Sequence, residues 1–414
     1  MDPYTIPTIY LPALSDLPLL SEVPSTLRCA MRQSIDNAEK LLVQLDNHIQ
    51  ISSCMCEALL PLSKALDGVV QMLIAARQSL HGQAAPGLNG NSKKIATADM
   101  SKPMAEACTI YDDYFGMMRV SSMEQLQFTA QVVSTCQNVL HDLPYTLLDR
   151  MQFTTLIRTM KEMLRVLSAG DRSLNVDVHS DSKNSICTWT LDRVDSYFAN
   201  QQQRFYDKSW RDNAIHKDHW AEQVATYRWK VGHHFFNLCA IFCRHALQQV
   251  QRAITEESLD GGAKQLQNAT QFLRGTTAAM WYASDFPAHI YQAIIRPSMV
   301  MPRPPAGFSG DQNADYNRMK EQKEDFKAFL HTCYGPSFSA LPASLYQALR
   351  DFYEADIQDI EHHVIIAANK VGTDQSLAQK EWLAELPTSP SHAQSAVDIL
   401  REMAEMRRRE YMLD

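Results

Sequence analysis

The pair His362-His363 stands in the middle of a long helical pattern, LYQALRDFYEADIQDIEHHVIIAANKVG. Imidazole is the side chain best suited to ligate a metal or move a proton near neutral pH. On a helical wheel centred on Ile360, Tyr353, Ile357, Val364, Ala367 and Val371 all fall within about 60° of it. His363 lies at the edge of that apolar stripe, and His362 points to the opposite, polar side. One imidazole is expected inside and the other in water. An inward imidazole can be a core histidine satisfied by a hydrogen bond. It can also be an axial iron ligand, because haem needs only one strong protein donor among apolar helices. Zinc requires a fuller ligand set, and no other His or Cys stands at zinc spacing. A carboxylate-bridged metal centre needs Glu-x-x-His pairs on facing helices, and only Asp359-x-x-His362 and Glu361-His362 occur, near one helix.

The elements around these residues follow from composition. The chain has 414 residues, 45% of them hydrophobic, enough for one large helical core or a large unit with a smaller one. Its 14 glycines are few for a sheet-rich nucleotide enzyme, and there is no G-x-G-x-x-G and no P-loop. Net charge is -8, with basic residues scattered except at Arg407-Arg408-Arg409. That pattern excludes a nucleic-acid binder with a clustered basic face, and the arginine run reads as complementing a helix C-terminus. The nine cysteines form no C-x-x-C pair, and there is no basic leader, so a reducing, cytoplasmic setting is expected. No apolar run reaches about 18 residues, so no membrane span is expected.

Prolines at 3, 7, 12, 18 and 24 make the start of the chain an extended arm. Ser25 then caps a helix from Thr26. A second helix contains Pro61, and polar, Gly-rich segments at 81–103 and 168–185 break the helical periodicity. Between them helices run over 104–119, 122–141 and 145–168. After a polar helical stretch comes a long apolar helix, WAEQVATYRWKVGHHFFNLCAIFCRHALQQVQRAI, which Gly261-Gly262 should stop. Helices follow at 263–284, 287–296, 319–333, 342–372 and 392–411, with a proline-rich loop near 300. The pattern contains no convincing strand and no internal repeat.

Three segments, in order, make this chain resemble the indoleamine/tryptophan 2,3-dioxygenase superfamily, including its pyrrolnitrin-pathway branch. The stretch MWYASDFPAHIYQAIIRPSM resembles the family's polar turn, Pro, and aromatic five residues before an Arg. GFSGDQNADYNRM resembles its small-residue loop beside the haem. The His363-Val-Ile-Ile run resembles its iron-binding helix. More loosely, VGHHFFNLCAIF falls where the family places a distal-pocket helix.

The resemblance implies an all-α, indoleamine 2,3-dioxygenase-like fold. A smaller N-terminal helical domain (1–120) would accompany a large helical haem domain (121–414). It implies haem b held by His363, with Ser309, Gly310 and Asp311 beside it. Arg296 would read a carboxylate, and Tyr291 would pack on the substrate ring. His234 would act at the distal face with Phe235 and Cys239, and His233 would face solvent. Apart from the resemblance, Phe235, Leu238, Phe242 and Ala246 form one apolar stripe bordered by Cys239, which is also what ordinary core looks like. The family's Gly-Thr-Gly-Gly-Thr loop is missing; Thr388 and Ser389 are the nearest hydroxyls in its place. The function implied is haem-dependent oxygenation of an indole or related aromatic metabolite with O2, in specialised metabolism. A non-catalytic helical interaction or haem-sensing protein is the reading from another class. Oligomeric state does not follow from the sequence.

Overall fold

The computed structural model describes residues 4–13, 23–47, 55–81, 102–121, 123–169, 217–299, 310–335, 338, 340–372 and 395–411. Helices account for nearly all of them. In the first part these are α1 (Ser25–Asn47), α2 (Met55–His81), α3 (Lys102–Phe115), α4 (Gln125–Asp142) and α5 (Arg150–Ala169). Then come α6 (Lys217–Thr255) and α7 (Leu259–Ala283), followed by a short helical stretch over Ala288–Ile290, Tyr291–Ile295 and Arg296–Ser298. The chain ends with α8 (Ala314–Tyr334), α9 (Ala343–Lys370) and α10 (Ala396–Tyr411). The all-α class is as expected.

Two short strands depart from that expectation. β1 (Ile9–Pro12) pairs in parallel with β2 (Met117–Val120), Ile9 opposite Met117. A four-residue strand is too short to announce itself by alternation, and β2 exists because α3 stops at Phe115 rather than running to 119. Gly116 makes that stop possible: it takes φ 69°, a conformation that costs a side chain-bearing residue free energy. Arg119 of β2 is then buried between Asp112 and Asp315, bonded to both carboxylates at 2.8–3.0 Å, and ties the strand to α8.

Gly261-Gly262 was expected to end a helix. Both glycines lie in the first turn of α7, and the break is the short link Glu256–Ser258, where Glu257 takes φ 59°. α6 and α7 can then pack closely. A Cβ added at Gly232 would lie 2.5 Å from the Ala283 Cβ and 2.8 Å from its Cα. The long α6 is central, packed against α7 and α8; α7 also touches α5 and α9, and α9 carries α10 on its other side. One continuous buried cluster runs from Ile9 through Leu66, Phe128, Phe242 and Phe272 to Ile366. A second, smaller one joins Ala221 and Val224 of α6 to Phe286, Ile290, Tyr291, Ile295 and Val371. Among the described residues no helix is long and apolar enough to cross a membrane.

Candidate functional site

α6 supplies Trp229, Lys230, His233 and His234 within about one and a half turns. His233 was expected in solvent. It lies instead against the Phe115 ring, stacked at 4.1 Å between centroids, with Trp229 at 4.3 Å. Its Nδ1 is 2.6 Å from the Trp229 carbonyl oxygen. A carbonyl only accepts, so Nδ1 carries the proton. Burial pushes the pKa of His233 down to about 3, so the ring is neutral and Nε2 keeps its lone pair. His363 is close enough to disfavour the charged form of His233 further.

His234 differs from its expected distal role. Its Nε2 is 2.6 Å from the Phe115 carbonyl oxygen, so it is the protonated nitrogen and is spent on joining α6 to the end of α3. Burial lowers its pKa to about 4. The two adjacent histidines thus carry opposite tautomers, set by which nitrogen meets a carbonyl.

The pair on α9 divides similarly. Trp281 of α7 donates its indole N–H to His362 Nδ1 at 2.7 Å. In the neutral ring, favoured by a pKa lowered to about 4 by burial, the proton of His362 sits on Nε2 and no nitrogen is left for a metal. His362 is therefore not in water as the wheel suggested. α9 is covered by α7 on one side and α10 on another, which a one-sided wheel does not anticipate. His363 makes no hydrogen bond among the described residues, and burial lowers its pKa. It nonetheless keeps accessible surface, as do Val364 and Ile365.

The third wall is the stretch after α7. Arg228, fully buried, pins its entry: the guanidinium bonds Asp142 (2.6 and 3.1 Å), the Asp285 carbonyl (2.7 Å) and carboxylate (3.1 Å), and the Tyr145 carbonyl (3.1 Å). Asp285 also accepts from the Leu147 amide at 2.7 Å. At the far side Lys370 donates to the Phe286 carbonyl, and Gln292 donates to the Lys370 carbonyl. Gln292 belongs to Tyr291–Ile295, which forms a π-helical turn, a geometry that recurs at functional sites. It places Tyr291 edge-on to Trp229 with centroids 5.9 Å apart. Arg296 bonds Gln292 Oε1 at 3.2 Å and lies close enough to Tyr291 to lower its pKa, against burial that raises it to about 12. Ser298 Oγ is 2.7 Å from the Tyr114 hydroxyl.

His233, His363, Tyr291 and Arg296 thus belong to one neighbourhood with Phe115, Trp229, Tyr114 and Lys230. Phe235 and Cys239 do not join it. Both are fully buried in the main core, and the Cys239 sulfur faces Gly275 of α7, where an added Cβ would meet it at 2.9 Å. Gly310 is exposed in a short 3-10 turn with Asp311. Ser309, Thr388 and Ser389 lie outside the described residues. Sequence reasoning missed Trp229, Tyr114 and Arg228. Asp142 and Asp285, each near a proline turn, were the signal for a buried arginine partner.

The donors suit a flat iron macrocycle. Two neutral imidazoles carry uncommitted nitrogens, aromatic and aliphatic side chains flank them, and cations stand nearby. Among the described residues no cluster of three or more His, Cys, Asp or Glu could hold a bare metal ion.

Comparison with known proteins points the same way. A family model described as SfmD 3-methyl-L-tyrosine peroxygenase matches residues 22–346, well over half of the chain. That span includes Tyr114, Lys230, His233, Tyr291 and Arg296 and ends before His363. A crystal structure of reduced SfmD, soaked with sodium hydrosulfite, overlays 83% of this chain and 97% of that one. Identity there is 18% and the TM-score 0.41, too loose to transfer positions. No curated protein matches. The chain belongs to the SfmD 3-methyl-L-tyrosine peroxygenase family, haem-dependent oxidoreductases related to the indoleamine/tryptophan 2,3-dioxygenases, and its cofactor is haem b.

Proposed function

We propose that this chain oxygenates the ring of a tyrosine-type aromatic amino acid, using haem b that His363 and His233 would hold. The observation that carries it is the pair of mutually close, neutral imidazoles, one tautomer-locked and one without a hydrogen bond. His363 would ligate the iron, and His233 would present its Nε2 lone pair to the same group. Bound haem supplies the oxidising chemistry. The net reaction is Ar–H + H2O2 → Ar–OH + H2O: one peroxide oxygen enters the ring C–H bond and the other leaves as water.

The protein's own residues bind and orient. Tyr291 and Trp229 take the substrate ring on apolar, edge-presenting surfaces, an arrangement that aromatic pairs favour. Arg296 fits a carboxylate with its two parallel donors. Arg228 and Lys370 fix the chain just before the Tyr291–Arg296 stretch, at Asp285 and Phe286, and Gln292 ties the stretch itself to the Lys370 carbonyl, so the ring and carboxylate contacts are held beside α9. Phe115 stacks on one face of the His233 ring and fixes its plane.

The family's printed substrate favours a phenolic ring and its printed activity favours peroxide; an indole with O2 is the competing assignment. Haem-loaded protein given 3-methyl-L-tyrosine or L-tryptophan, each with peroxide or with O2 and ascorbate, separates them by mass spectrometry of the products. A product 16 mass units heavier from the phenol with peroxide is expected. Turnover of L-tryptophan with O2 and ascorbate, and not with peroxide, would replace this assignment with the indole one.

A further inference from the structure

Lys230 is a charge in search of an anion. Its ammonium lies 4.8 Å from the centre of the Tyr114 ring, a cation–π contact that leaves the charge uncompensated. The side chain is only partly exposed, and burial lowers its pKa with no opposing carboxylate. Among the described residues Lys230 makes no ion pair. A cation taken out of water without a counter-charge costs free energy that an arriving anion recovers.

Its surroundings identify the anion's setting. Lys230 follows Trp229 and precedes His233 by under one turn of α6. Its charge reaches His234, whose protonated form it disfavours. Tyr114 beneath it bonds Ser298, two residues after Arg296, and is close enough to Tyr291 to raise that phenol's pKa. The ammonium therefore sits on the rim formed by the residues assigned above to haem and substrate.

We propose that Lys230 is a second carboxylate-binding residue of this pocket, beside Arg296, pairing either with the α-carboxylate of the aromatic amino acid or with a propionate of haem. The inference rests on the haem reading above. Both ligands of that reading end in carboxylates, so the chemistry is shared and only the source differs.

The test uses Lys230→Met, which keeps the apolar stem, and Lys230→Arg, which keeps the charge. Apo-protein is titrated with hemin and with hemin dimethyl ester by Soret absorbance. Binding of 3-methyl-L-tyrosine and its methyl ester is measured by calorimetry. Lys230→Met is expected to weaken one free acid about ten- to a hundred-fold while sparing its ester, with Lys230→Arg restoring most of the affinity. Selective loss for hemin identifies the propionate; selective loss for the amino acid identifies the substrate. Equal effects on acid and ester, or no effect on either pair, overturn the proposal. If the wild type takes up no hemin, the haem reading falls, while the calorimetric pair still decides the role of Lys230.

Discussion

Four histidines in two adjacent pairs look interchangeable as residues, yet each pair divides into a structural and an available imidazole. The division follows from single hydrogen bonds. His362 has Nδ1 taken by the Trp281 indole and Nε2 protonated, while His234 spends Nε2 on the Phe115 carbonyl and keeps a lone pair only on Nδ1. His233 has only its Nδ1 engaged. The expected consequence is an asymmetric mutational pattern. His363→Ala and His233→Ala each displace or abolish the Soret band of hemin-loaded protein. His362→Ala leaves its position unchanged and lowers thermal stability by about 1 kcal/mol or more through the orphaned Trp281 N–H. A Soret band lost in His362→Ala and retained in His363→Ala would reverse the assignment.

At the scale of elements, two features position the site. The first is the close approach of α6 and α7. Gly232→Ala forces the helices apart because the new Cβ meets backbone as well as side-chain atoms of Ala283. A loss of about 1–3 kcal/mol in denaturant unfolding is expected, with weaker hemin uptake since His233 is the next residue. The second is the Lys370 tie between α9 and the π-helical stretch. Burial lowers the pKa of Lys370 from the ordinary lysine value to about 7, with Asp285 pulling partly back. The unfolded chain holds this proton across a window where the folded one does not. The group's contribution is therefore fully present above the ordinary lysine pKa and is lost as pH falls toward about 7. Stability attributable to Lys370 should rise from pH 7 to 10 with a slope of at most about 1.4 kcal/mol per pH unit. Urea unfolding of Lys370→Met beside the wild type checks it: the difference between the two curves should vanish in slope below pH 7.

The whole molecule closes through its last helix. Asp356 of α9 accepts from Lys323 of α8 at 2.5 Å, from the Tyr411 hydroxyl at 2.6 Å and from Arg407, while Arg408 pairs with Glu361. Tyr411 also stacks on Tyr353 at 3.9 Å. The Arg407-Arg408-Arg409 run, expected to complement a helix end, lies at the end of α10, and Arg407 and Arg408 also bind α10 to Asp356 and Glu361 of α9. Removing one partner strands the others in a dry place. Asp356→Asn should destabilise the protein by about 3–5 kcal/mol in urea unfolding. It should also release α10, seen as faster amide exchange over 396–411. Unchanged exchange there would mean that the Tyr353–Tyr411 stack suffices.

Much of this protein was legible before its fold. Helical periodicity is a local property, so the helix class, the long α6 and the inward aim of His363 follow from spacing alone. The Tyr291 to Arg296 spacing and the His363-Val-Ile-Ile run likewise carried the family resemblance. Other features depend on which helix covers which face, and no local pattern encodes that. His233 passed for a solvent residue because its partners, Phe115 and the Trp229 carbonyl, come from an element over a hundred positions earlier and from the backbone. Lys230 reads as one more scattered charge until Tyr114 is seen beneath it. The short β1–β2 pair and the buried Arg228 are decided in the same way. Hydrogen-bond satisfaction and charge compensation are non-local constraints, so only the tertiary structure could decide which imidazole nitrogens the scaffold takes and which keep a lone pair.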